Sequence, residues 1–178
     1  MLAYKAFEPG LICRGYPFHM GLNVTDKANC AKNGFHCAEN PLDCFSYYPD
    51  FRKAVYYIVD AGGDVDEDNR DSKISCTELR IIKRLSLKEF LLHALAYMER
   101  YPTREWNTHV EQDLANAHNG YAIVRGKEPL ACGKTGDILA LAKESTDGSK
   151  IVQMALAVID GKSLLPGVWY DIDFKERV

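Results

Sequence analysis

The chain has 178 residues, a formal net charge of −3, 47% hydrophobic and 26% charged residues. That length buries a core without help from disulfides or metals, and the composition is that of an ordinary globular protein. The acidic balance argues against a general nucleic-acid binder, and no apolar run reaches the ~20 residues of a membrane span.

In chain order, Leu2 to Phe7 reads as a strand, Pro9-Gly10 turns the chain, and Leu11 to Arg14 follows until Gly15 breaks it. Phe18 to Val24, interrupted by Gly21, is a further strand. Asn33-Gly34 is a turn signal ahead of a short strand at Phe35 to Ala38. Asn40-Pro41 opens a short helix with Asn40 as its N-cap, and Pro49 stops it. Phe35, Leu42 and Phe45 are expected in the core. Tyr47 and Tyr48 line a groove, or pack as ordinary half-buried aromatics.

Arg52 to Ala61 reads as a central strand ended by Gly62-Gly63. An acidic loop, Asp64 to Asp71, follows, then a strand from Ser75 to Leu85. Ser86 and Glu89 form a capping box, and Leu87, Phe90, Leu91, Ala94, Leu95 and Met98 make one helical stripe that ends at Tyr101-Pro102. Residues 103–119 read as a linker or a loose helix. From Gly120, short apolar runs separated by glycine turns read as a β meander. The expected fold is α+β: mixed strands with one main helix over 1–102, then a C-terminal antiparallel meander over 120–178 packed on it.

No chemical motif is complete. The six cysteines (Cys13, Cys30, Cys37, Cys44, Cys76 and Cys132) contain no CxxC. On a strand, His36 and Cys37 face opposite ways, so the cysteines are read as small buried hydrophobes and no metal is expected. DVDEDNRD (64–71) begins like a calcium loop but has Asn69 and Ser75 where Gly and Glu are required. GKT (133–135) has Glu128 where a phosphate loop needs Gly. The opening MLAYKAFEPG lacks the features of a signal peptide, so a cytoplasmic location with reduced thiols is expected.

Several motifs carry a resemblance. They are Tyr4-Lys5-Ala6-Phe7, Cys13-Arg14-Gly15, Gly34-Phe35-His36-Cys37, Asn40-Pro41-Leu42-Asp43 with Phe45, Tyr47 and Tyr48, then Gly62-Gly63-Asp64, Ser72-Lys73 and the strand-helix unit at 79–98. Together they resemble an uncharacterised domain family of bacteriophages and of mobile elements of gut Firmicutes, in which Gly usually stands where this chain has Ala6. The tail, with Gly120-Tyr-Ala-Ile-Val-Arg-Gly, Gly136-Asp-Ile-Leu-Ala-Leu-Ala and Gly167-Val-Trp-Tyr, looks like that family's closing unit. In longer relatives, repeats that look like a β-solenoid precede it; here they are essentially absent. A weaker likeness in element order is to the core of ADP-ribosyltransferases. It implies that Lys5 or Arg14, with Tyr48, would hold the nicotinamide ribose of NAD, while no glutamate stands out as the catalytic one.

Two functions are therefore weighed. The first is a non-enzymatic accessory protein of a phage or mobile element, acting in the cytoplasm of the bacterial host. It binds a host protein or protein–nucleic-acid complex, as an anti-CRISPR does, and needs no cofactor. Asp64, Asp66, Glu67 and Asp68, with Tyr47 and Tyr48, are its candidate binding residues. The second is an ADP-ribosyltransferase-like enzyme using NAD through Lys5, Arg14 and Tyr48.

Overall fold

A computed structural model describes residues 1–30, 32–51, 53–67, 71–104 and 106–177. The chain forms two compact units, Met1–Phe90 and Leu91–Val178. About 50% of it is strand and 11% helix. This corrects the α+β expectation: the fold is predominantly β, with one short and one long helix among the described residues. No described helix is long and apolar enough to cross a membrane.

The first unit contains β1 (Leu2–Phe7), β2 (Ile12–Cys13), β3 (Tyr16–Pro17), β4 (Gly21–Val24), β5 (Phe35–Ala38), α1 (Asp43–Tyr47), β6 (Val55–Glu67) and β7 (Lys73–Leu85), and it includes the start of α2 (Leu87–Arg100). Its antiparallel pairings close on themselves. β1 pairs with β6, β6 with β7, β7 with β5, and β5 returns to β1 through Tyr4 opposite Ala38. The result is a small barrel with β4 attached to β7 as an outer strand. Ala3, Phe7, Phe35, Cys37, Val59, Ala61, Ile74, Cys76, Leu79 and Ile81 fill its interior. A barrel this narrow is packed by side chains and holds no channel.

Gly62-Gly63 does not end β6. Gly63 has φ +68, and a Cβ there would lie 2.1 Å from the Thr77 hydroxyl. Two glycines thus permit a bulge, marked by the register shift between Gly62 and Val65. β6 runs on to Glu67, so Asp64, Asp66 and Glu67 lie on a strand and not in the loop expected. Asp68 lies outside the described residues.

On one side of the barrel, Tyr4, Phe45, Tyr56 and Phe90 form an aromatic cluster, with three edge-to-face pairs at 5.3–6.2 Å and the Tyr56–Phe90 pair tilted at 4.5 Å. Helix α2 begins as its capping box requires: Ser86 N donates to the Glu89 carboxylate at 2.8 Å, and Glu89 N donates to the Ser86 hydroxyl at 3.2 Å.

The second unit holds the rest of α2, then β8 (Glu111–Asn116), β9 (Tyr121–Cys132), β10 (Ile138–Glu144), β11 (Ile151–Val158), β12 (Trp169–Tyr170) and β13 (Glu176–Arg177). The stretch read as a linker, 103–119, contains β8. An antiparallel meander is not what forms. β8 with β9 and β9 with β10 pair parallel, while β10–β11, β9–β12 and β12–β13 pair antiparallel. Between β9 and β10 the register steps by 17 residues, from Tyr121 opposite Ile138 to Gly126 opposite Lys143. Between β8 and β9 it steps by 16 at Leu114–Leu130 and Asn116–Cys132.

Parallel neighbours need a long crossover, yet only 133–137 separate β9 from β10. The second half of β9 is itself the crossover. The chain therefore winds a coil of solenoid type, closed by the β10–β11 hairpin. Periodicity alone did not separate this from a meander, because both consist of short apolar runs with glycine turns. Val124, Leu139, Leu141, Ile159 and Tyr170 are the centre of its core.

Candidate functional site

Alternation along β1 sends Ala3, Lys5 and Phe7 to the inside of the barrel. Lys5 is only 6% exposed. A buried ammonium is costly unless it is partnered. Here Nζ donates to the His36 carbonyl at 2.6 Å, stands 3.7 Å from Cys13 Sγ, and lies over the rings of Phe7 and Phe18 at 5.2 and 5.3 Å.

Cys13 is carried to this point by the β2–β3 hairpin. Its two-residue turn, Arg14-Gly15, has φ of 50° and 77°, the mirror-image turn that hairpin twist favours. The thiol is half-buried. The Tyr48 hydroxyl donates to Cys13 Sγ at 3.2 Å, and the Tyr56 hydroxyl bonds the Tyr48 carbonyl at 2.8 Å. Burial pushes the Tyr48 phenol pKa well up, the bond to Cys13 and the charge of Glu8 add to this, and Arg14 opposes it.

Deeper in the barrel, the hydrogen bond shared with Cys76, together with burial, holds the Cys37 thiol well above its ordinary range. Burial takes Cys44 to about 12. Both are inert packing thiols at neutral pH.

The sequence-named residues therefore separate into three places. Lys5 and Tyr48 meet on Cys13, with Arg14 on the same hairpin. Tyr47 turns elsewhere: its hydroxyl donates to Asp71 at 2.8 Å and accepts from Lys73 at 3.0 Å. Asp64, Asp66 and Glu67 occupy the exposed outer half of β6, where Asp66 accepts the backbone N–H of Cys30 at 2.7 Å. Phe35, Leu42 and Phe45 are buried. Asp43 is a tie and not a surface group, since its carboxylate accepts both the N–H and the hydroxyl of Ser72 at 3.0 and 2.6 Å.

A third surface escaped sequence reasoning. β4 pairs only with β7 among the described residues. Its inward residue, Asn23, is buried and bonds the carbonyls of His19, Gly21 and Leu79 at 2.9–3.3 Å. Its outward residues are Leu22 and Val24, 39% and 61% exposed, with Met20 at 52% just before them. Leu22 stands opposite Arg80 and Val24 opposite Glu78, and across β7 those two face Asp60 and Gly62 of β6. At the next step Thr25 N bonds the Thr77 carbonyl, and Asp64 N bonds the Thr77 hydroxyl. Strands are ~4.8 Å apart, so β4 lies about two strand spacings from β6 at Asp60 and Gly62, while the acidic half of β6 lies further along the strand, where β7 pairs with β5 on its other side. An open edge with exposed apolar side chains is a ready template for another chain.

An open depression of about 340 Å³ lies elsewhere on this unit, lined by Phe51, Ala54, Val55, Tyr56, Arg84 and Leu87. Ser86, whose hydroxyl is taken up by the helix cap with Glu89, also lines it, and none of its described lining residues is a carboxylate. Among the described residues no group of three or more His, Cys, Asp and Glu is placed to hold a metal ion.

A family model described as Domain of unknown function (DUF7666) matches residues 1–93. No curated protein and no solved structure matches the chain.

Proposed function

The chain belongs to the family described as Domain of unknown function (DUF7666), and we propose that it acts by binding a macromolecule through the β4–β7–β6 face. The observation that carries this reading is the open edge of β4, with Leu22 and Val24 turned outward beside Glu78 and the exposed carboxylates of β6. An apolar centre with a charged rim is the usual anatomy of a protein interface. The rim carries Glu78, Asp60 and the carboxylates further along β6 around one cation, Arg80, so the partner we propose presents lysines and arginines, as the nucleic-acid groove of a protein–nucleic-acid complex does. The resemblance to phage and mobile-element proteins supplies the setting: an accessory protein in the cytoplasm of a bacterial host, an inhibitor of a host defence complex such as an anti-CRISPR being the instance that fits.

The test is affinity capture from host cells, followed by size-exclusion of the captured complex. The native chain retains a stoichiometric partner with a basic groove. A Leu22→Asp, Val24→Asp variant loses it, while Leu165→Asp, a control at an exposed residue of the second unit, keeps it. Retention of the same partner by all three chains, or of no partner by the native chain, defeats the reading.

Glu8, close enough to Tyr48 for its charge to act on the phenol, favours a second reading, the ADP-ribosyltransferase-like one. Against it, Lys5 is turned into the barrel, which leaves Arg14 and Tyr48 for the ribose. Titration calorimetry with millimolar NAD decides: absence of heat removes this reading.

A further inference from the structure

We infer that β11 is a self-association edge that pairs antiparallel with β11 of a second copy of this chain. Among the described residues β11 pairs only with β10. Its eight residues, Ile151–Val158, include no charge, no proline and no glycine. Those are the residues that ordinarily guard an outer strand against pairing. The other outer strands of this unit do carry charge: Glu111 and Asp113 on β8, Glu176 and Arg177 on β13.

The edge is open in both side chain and backbone. Ala155 and Ala157 pack on the core. Alternation sends Met154, Leu156 and Val158 to the other face, where Met154 and Val158 are 41% and 36% exposed and Leu156 is half-buried. Ile159 N donates to the Asp137 carbonyl at 2.9 Å. By alternation Ala157, Ala155 and Gln153 also turn their backbone groups toward β10, and Val158, Leu156 and Met154 turn theirs to the open side. A bulge at 151–152, where Lys143 faces Gln153 but Glu144 faces Ile151, leaves the remainder of the strand regular.

The ends of the strand select the occupant. Lys150 precedes it and Asp160 follows it, both exposed. Asp160 Oδ1 accepts the N–H groups of Lys162, Ser163 and Leu164 at 2.8–3.1 Å, which fixes the carboxylate in place. Two copies laid parallel set lysine on lysine and aspartate on aspartate. Turned antiparallel about Ala155, each Lys150 comes to Asp160 of the second copy, and Met154 stands opposite Leu156. Both of those residues offer their backbone groups outward, so this register also satisfies the hydrogen-bond pattern. A generic extended peptide gains the backbone bonds without the two matched ends. The contact uses the same patch on both copies, so it closes as a two-fold dimer. It is independent of binding through β4.

Sedimentation equilibrium of the full chain from about 1 to about 300 µM, the range of weak contacts, reads the association. A monomer–dimer equilibrium is expected. Met154→Lys, which places a charge on the open edge, should raise the dissociation constant about tenfold or more, and Lys150→Glu should raise it about threefold. The Leu22→Asp, Val24→Asp variant should dimerise as the native chain does. The register is read on an equal mixture of unlabelled and nitrogen-15-labelled chain treated with a carbodiimide, which joins a lysine amine to a carboxylate as an amide. A Lys150–Asp160 bridge of mixed isotope is expected by mass spectrometry. A monomer throughout the range, a dimer that Met154→Lys leaves intact, or a dimer without the mixed-isotope bridge overturns the inference.

Discussion

Two glycines, Gly34 and Gly63, occupy positions where only a glycine fits without strain. Gly34 has φ +87, and a Cβ there would lie 2.9 Å from the Ala28 Cα and 3.0 Å from the Lys27 carbonyl, besides meeting the Ser75 hydroxyl. Gly63 has φ +68 and abuts Thr77, whereas a Cβ on Gly62 meets nothing closer than 3.8 Å. Gly34→Ala and Gly63→Ala should each cost roughly 1–3 kcal/mol, from strain and from displaced backbone. Gly62→Ala should stay within ~0.5 kcal/mol. Urea denaturation of the three variants checks the contrast; equal losses at Gly62 and Gly63 would mean that the bulge is not held as described. Lys5 illustrates the limit of reading such positions from sequence. The alternation Ala3, Lys5, Phe7 already assigns the lysine to the apolar face. A ligand-holding role for it comes only from the likeness in element order to ADP-ribosyltransferases, while its partners come from β2 and β5, far along the chain, and leave no local mark.

At the scale of elements, locally encoded features were legible. The capping box at Ser86 and Glu89 marked the start of α2, and the strand at Phe35 to Ala38 was bounded by its glycine turn and by Asn40-Pro41. Glu89 is held at about 2, against an ordinary 4.5, first by the Lys83 ammonium and then by the Ser86 N–H and hydroxyl. A carboxyl lowered in the folded chain stabilises it above pH 4.5, and that contribution fades as pH falls from 4.5 toward about 2. Glu89→Gln should flatten the acid limb of the stability curve over that window, read by thermal unfolding from pH 5 to pH 2. Ser86→Ala should cost about 1 kcal/mol at neutral pH. Pairings set by distant partners were not legible. The parallel step of 17 residues between β9 and β10 leaves no mark on local hydrophobic pattern. Nor does the pair that spans those strands: Arg125 donates to Glu144 at 2.6 Å and to the Pro102 carbonyl at 2.5 Å, and lies over Trp106 at 4.8 Å. Both side chains are nearly buried, at 4% and 13% exposure. Glu144→Gln strands the guanidinium charge, so a loss of about 3–5 kcal/mol is expected in urea unfolding.

At the scale of the whole molecule, the candidate surface became visible only through topology. Leu22 and Val24 read as ordinary strand residues until β4 proved to be an outer strand with one partner, and the carboxylates expected in a loop proved to extend a paired ribbon. On the binding function proposed above, the same arrangement divides the work between charge and apolar contact, and the two parts separate kinetically. Under that proposal the net charge of −3 and the exposed acidic half of β6 act at a distance, raising the rate at which the proposed basic partner arrives. The outward side chains of β4 act only on contact, and they set how long the complex lasts. Asp64→Lys with Glu67→Lys adds two charges at each position, which takes the formal net charge from −3 to +1. With the captured partner on a biosensor surface, this variant should associate about tenfold more slowly at low salt, with a shallower dependence on ionic strength and a nearly unchanged dissociation rate. Val24→Ala should do the reverse, leaving association within twofold and speeding dissociation about tenfold. If the charge reversal leaves the association rate and its salt dependence untouched, the acidic strand is a solvated edge, and recognition rests on β4 alone.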